Sequence, residues 1–72
     1  MDKSALITKF ENHTASEKEV LETIPVVMDS FTKDEKEFID LVIEQSNSNE
    51  GIQGGKMRNV ENLLADKLRK LP

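Results

Sequence analysis

Thr32-Lys33-Asp34-Glu35-Lys36-Glu37-Phe38-Ile39-Asp40-Leu41-Val42-Ile43-Glu44-Gln45 is the stretch that decides the fold class. Its threonine stands three residues before a glutamate, the spacing of a capping box. The hydroxyl accepts from the amide of the third helical residue, and the carboxylate reaches back to the threonine's own amide. Asp34 and Glu35 lie where the helix dipole is positive and favours anions. Phe38, Ile39, Leu41, Val42 and Ile43 then follow too densely for one narrow stripe. The stretch reads as a helix running to about Gln45, and as the most buried element of the chain.

On its C-terminal side, residues 46–55 collect serine, asparagine and three glycines, with Ile52 as the one apolar side chain. This composition predicts a flexible linker, longer than most helix–helix connections. Beyond it, Met57, Val60, Leu64, Leu68 and Leu71 recur at steps of three and four, with Leu63 beside them. That periodicity predicts an amphipathic helix over roughly Lys56 to Leu71, forming with the Thr32 helix the best-defined pair. Lys67, Arg69 and Lys70 stand at the end of this helix where the dipole favours cations, whereas Lys56 and Arg58 stand at the end where it does not.

On the N-terminal side, Asp2 or Ser4 can cap a first short helix whose apolar face is Leu6, Ile7 and Phe10. Glu11 to Thr14 carries no apolar residue and reads as a break. Thr14 and Ser16 each precede a glutamate by three, so a second helix starts there, with Val20, Leu21, Ile24, Val27, Met28 and Phe31 as its stripe. Pro25 interrupts that stripe. Lacking an amide proton and crowding the preceding turn, it predicts a stop or kink near Thr23, where Thr23 can cap a further short helix that holds Pro25 in its tolerated first turn. The whole is expected to be one all-α domain over 1–72, a small bundle of three to four short helices.

Composition bounds the function. There is no cysteine, so no disulfide forms, and His13 is the only histidine, so no zinc site of ordinary ligand set is expected. No cofactor motif is found. Gly51-Ile52-Gln53-Gly54-Gly55-Lys56 lacks the first glycine, the hydroxyl residue and the preceding strand of a phosphate-binding loop, and reads as a hinge. His13 has no neighbouring nucleophile and reads as a solvated loop residue. Asp29-Ser30-Phe31 reads as a polar turn. No apolar run is long enough for a membrane span and no signal-peptide core is present, which with the absence of cysteine points to a cytoplasmic protein.

Charge is divided unevenly along the chain. The net charge is −4, but residues 1–50 hold five lysines against twelve carboxylates, while residues 51–72 hold five basic side chains against two acidic ones. The basic end either faces outward, toward nucleic acid, or faces the acidic part of the protein. Arg58, Asn59, Asn62, Lys56 and Arg69 lie off the leucine stripe, and arginine and asparagine are good readers of base edges. Leu63, Leu64, Leu68 and Leu71 offer a seam for a homodimer, since so small a core gains from self-association. The leading expectation is a non-catalytic protein-interaction or regulatory module acting through its acidic helices and the last helix, with another protein as partner. The alternative is a small DNA-binding regulator using the basic helix.

Overall fold

In a computed structural model, which describes residues 2–72, the chain forms α1 (Lys3–Glu11), α2 (Glu17–Thr23), a 3-10 helix (Ile24–Ser30), α3 (Lys33–Ser46) and α4 (Gly54–Lys70). No strand occurs among the described residues, so the all-α class stands. The local start signals act as the sequence implies. The Asp2 carboxylate accepts from the Ala5 amide at 3.1 Å. In the Ser16–Glu19 box the two bonds measure 3.1 and 3.0 Å, and in the Thr32–Glu35 box 3.2 and 2.7 Å. Of the four α-helices only α4 starts without a side-chain cap, because Gln53 turns its amide to the Glu50 carbonyl at 2.8 Å.

Pro25 separates two short helical pieces, as its chemistry predicts. Regular α-helix ends at Thr23, but the backbone stays in the helical region and tightens into the 3-10 piece. Thr23 does not cap that piece. A cap needs extended backbone, and Thr23 has φ −83° and ψ −30°. Its hydroxyl donates instead to the Glu19 carbonyl at 2.7 Å. Pro25 falls in the first turn of the new segment, where its missing amide proton leaves no bond unmade.

The core consists of Phe10, Val20, Ile24, Val27, Phe31, Ile39, Val42, Val60, Leu64, Ala65 and Leu68. α4 is its post: α1, α2, the 3-10 helix and α3 all pack on it, and α1 does so most extensively. This corrects two expectations, that α3 is the most buried helix and that α3 and α4 are the principal pair. α3 packs chiefly on α4, so one stripe suffices, and only Ile39 and Val42 are buried. Phe38 and Ile43 pack at the edge of the core, and Leu41 is left 51% exposed.

The connection between α3 and α4 is shorter than its composition implied, because α3 continues through Ser46 and α4 begins at Gly54. Residues 47–53 form a chain of turns. Ser48 donates its hydroxyl to Gln45 at 2.7 Å and accepts the Glu50 amide at 3.3 Å. Gly51 adopts φ +72°, a left-handed conformation that suits glycine. The Glu17 carboxylate accepts the Ile52 amide at 3.5 Å, tying this loop to the start of α2. No helix among the described residues is long and apolar enough to cross a membrane.

Candidate functional site: an acidic interaction surface

The fate of the basic tail determines which surface is left to act. Lys67 is nearly buried along α4, and its ammonium reaches Glu35 of α3 at 3.0 Å. Arg69 pairs with Glu11 at the end of α1, and Lys70 pairs with Asp66 one turn back at 3.1 Å. The Lys3 ammonium donates to the Leu71 carbonyl at 2.8 Å, closing the two termini of the bundle on each other. The cations of the last turns therefore face the protein's own acids and carbonyls. Elsewhere Lys9 holds Glu19 at 2.8 Å, and Lys18 lies 3.8 Å from Glu22.

Two carboxyls carry the mark of these contacts. Glu19 is held below the usual glutamate range, first by the hydrogen bond from Lys9 and then by the Ser16 amide. Glu35 is held down first by the Thr32 amide and then by Lys67. In both cases the donors bind the charged form and so favour it.

Most of the surplus acids collect in one segment, with only Asp2 and Glu17 outside it among the described residues. Among the described residues, Asp29, Asp34, Glu37, Asp40, Glu44 and Glu50 have no ion-pair partner, and only Lys33 and Lys36 stand among them. On α3, Asp34, Glu37, Leu41 and Glu44 follow steps of three, four and three, which places them on one side of a helix. All four are exposed, on the side away from Ile39 and Val42. The outer face of α3 is thus a row of carboxylates around one solvent-facing leucine.

The residues singled out on α4 divide. Arg58, Asn59, Asn62 and Arg69 share its outward face, but Arg69 is engaged by Glu11, and Asp66 lies among them. Lys56 is half-buried on another side of the helix, and Arg58 is the uncommitted cation on the outward face. Phosphate backbones are bound by several neutralising cations at once, a pattern this face does not offer. Of the leucines, Leu64 and Leu68 are fully buried against their own chain, while Leu63 and Leu71 are half-buried at the core's edge. Of these four leucines, Leu63 and Leu71 are the ones that keep surface outside the core.

One polar pair escaped the sequence reading. Glu61 is 1% exposed in the middle of α4, and its Oε1 lies 3.2 Å from Nδ1 of His13, while Oε2 is buried without a partner. His13 is therefore not a freely solvated loop residue. It sits in the turn after α1 with φ +58°, in the left-handed region, and its imidazole is 26% exposed. The signal for Glu61 was present: it falls between Val60 and Leu64 on the apolar stripe, a position where a carboxylate is out of place. The pair fastens the α1–α2 turn to the central helix. No group of three or more potential metal ligands is found among the described residues. A shallow open cleft of about 250 Å³ lies between α1, α2 and the 3-10 helix.

Comparison of the chain with protein-family models, curated proteins and solved structures returned no match. The functional reading accordingly rests on this chain's own residues.

Proposed function

We propose that this protein is a non-catalytic interaction module that docks its acidic face, the outer side of α3 with the turns flanking it, on a cationic surface of another protein. The observation that carries the reading is the uneven use of charge. The basic C-terminal turns are paired inside the molecule, whereas the carboxylates of residues 29–50 other than Glu35 are left without ion-pair partners. A one-sign patch of this kind raises the encounter rate with a complementary surface and sets orientation more than affinity. Leu41, half-exposed among the acids, supplies the apolar anchor that charged rims lack. A regulatory role follows if the cationic surface it covers is itself a working site of the partner.

The test is affinity capture from the native cell, with the intact protein and with a Glu37→Lys/Asp40→Lys/Glu44→Lys variant, followed by mass-spectrometric identification. These side chains are exposed, so the variant keeps its fold, as circular dichroism will verify. The expected result is a basic partner that is released as salt rises and is missing from the variant's capture. Recovery of the same proteins by both forms overturns the reading.

A further inference from the structure

Glu61 is enclosed on the core side of α4, with Oε1 3.2 Å from Nδ1 of His13 and Oε2 without a partner. Among the described residues it has no other ion-pair partner. The remaining charges on the elements packed around α4 are engaged or face solvent. On α1, Lys9 holds Glu19 of α2, Glu11 holds Arg69, and Lys3 donates to the Leu71 carbonyl. On α2, Glu17 accepts the Ile52 amide and Lys18 lies by Glu22. The 3-10 helix carries only the exposed Asp29, while α3 sends Glu35 to Lys67 and keeps its other charges exposed. On α4 itself Arg58 and Asp66 are exposed, and Lys56 lies on another side of the helix. His13 is thus the one group placed to give Glu61 a counter-charge.

We propose that His13 and Glu61 form a pH-sensitive latch, which holds the turn between α1 and α2 on α4 while the imidazole is protonated and loosens it as the proton leaves. A protonated ring donates from both nitrogens, so Nδ1 meets an ionised Oε1 in a charge-assisted bond and the pair is neutral overall. Once the ring is neutral, Nδ1 either donates without charge or presents a lone pair, and Glu61 keeps an enclosed charge with no counter-ion. Such a charge is costly, and the turn is the element that yields. Its residues Asn12 and Thr14 are exposed, and His13 holds φ +58°, a left-handed conformation unfavourable to most side chains that the anchored ring helps to keep. Imidazoles change charge between about pH 5 and 8, so the turn tightens toward the acidic end of that range and frees toward the other. Its release loosens the end of α1, the helix packed most extensively on α4. The latch lies apart from the α3 face and stands or falls independently of the docking reading.

The test is NMR of the isotope-labelled full chain between about pH 5 and 8, a range in which free carboxylates stay mostly ionised. Imidazole nitrogen shifts follow the proton on His13. Solvent exchange of the Asn12, His13 and Thr14 amides, corrected for intrinsic rates, follows the turn, because these amides bond to the Thr8, Phe10 and Lys9 carbonyls at 3.0, 3.2 and 2.9 Å. The expected result is a turn opening that rises about tenfold in step with loss of the imidazole proton, while the Val42 and Leu68 amides barely change. Glu61→Gln and His13→Asn should both flatten the response. Asparagine tolerates the left-handed backbone, so His13→Asn keeps the test decisive even if Glu61→Gln impairs folding. Turn exchange indifferent to pH in the wild type overturns the latch. A response that persists in His13→Asn also overturns it and assigns the effect to the Lys9–Glu19 or Glu11–Arg69 pair. An equal rise throughout α3 and α4 does so too, since the whole fold would then be loosening.

Discussion

Replacing His13 with alanine removes the one partner that the fold gives to Glu61. The Glu61 side chain is almost wholly enclosed, Oε2 has no donor already, and Oε1 has only the imidazole nitrogen at 3.2 Å. A hydrogen bond to a charged group contributes about 1.5–3 kcal/mol, and leaving a buried acceptor unsatisfied costs about 1–3 kcal/mol, more for a charged one. Because the imidazole is partly exposed, water entering the gap offsets some of this, so the expected loss is about 2–3 kcal/mol. A core of this size supplies roughly 3–5 kcal/mol in all, so the variant should lose a large part of its stability. Its melting temperature should fall by roughly 10–20 °C.

Two companion variants isolate the cause. His13→Gly also removes the imidazole but relieves the left-handed backbone at φ +58°, so it should be less damaging by about 1 kcal/mol. Glu61→Met keeps the volume and removes the polar group, and should be close to neutral or stabilising. Urea unfolding followed by circular dichroism at neutral pH measures all three. The reasoning is refuted if His13→Ala unfolds at the wild-type midpoint, or if Glu61→Met costs as much as His13→Ala.

Gly51→Ala should destabilise by about 1 kcal/mol or more, because alanine strains at φ +72° and its Cβ would lie 3.0 Å from the Glu17 carboxylate. Gly55→Ala, inside α4 with open space around it, should instead stabilise by about 0.5–1 kcal/mol in the same denaturant assay. Leu64→Ala, at a fully buried position, should cost about 2–5 kcal/mol and leave the chain largely unfolded by circular dichroism. A variant that stays folded and merely changes its sedimentation would show that the leucine serves an interface. Glu35 is depressed in the folded state, so its contribution is present above the ordinary glutamate value and is lost as pH falls through the lower, folded value. Glu35→Gln should therefore be less stable at neutral pH and show a flatter loss of stability on acidification, measured by urea midpoints across the acid range.

The amino-acid sequence by itself determined where helices start and of what class the fold is. Asp2, Ser16 and Thr32 cap through bonds spanning three residues, and the interruption at Pro25 follows from its own ring. Such effects act within one turn of chain, so they survive in a one-dimensional reading. Even here the neighbours had a say: the helices on either side of residues 47–53 grew into the linker.

The tertiary structure alone decided which helix stands at the centre and which charges are free. α4 became the post because α1, from the far end of the chain, lies along it, leaving α3 at the margin with Leu41 in solvent. The pairing of Lys67 with Glu35 and of Arg69 with Glu11 turned a basic tail into a neutralised one. His13 and Glu61 meet across 48 positions of sequence. Contacts of that range depend on the direction in which each stripe faces once the chain has closed on itself. Periodicity gives the stripe and not its neighbour, which is why the acidic face emerged only with the fold.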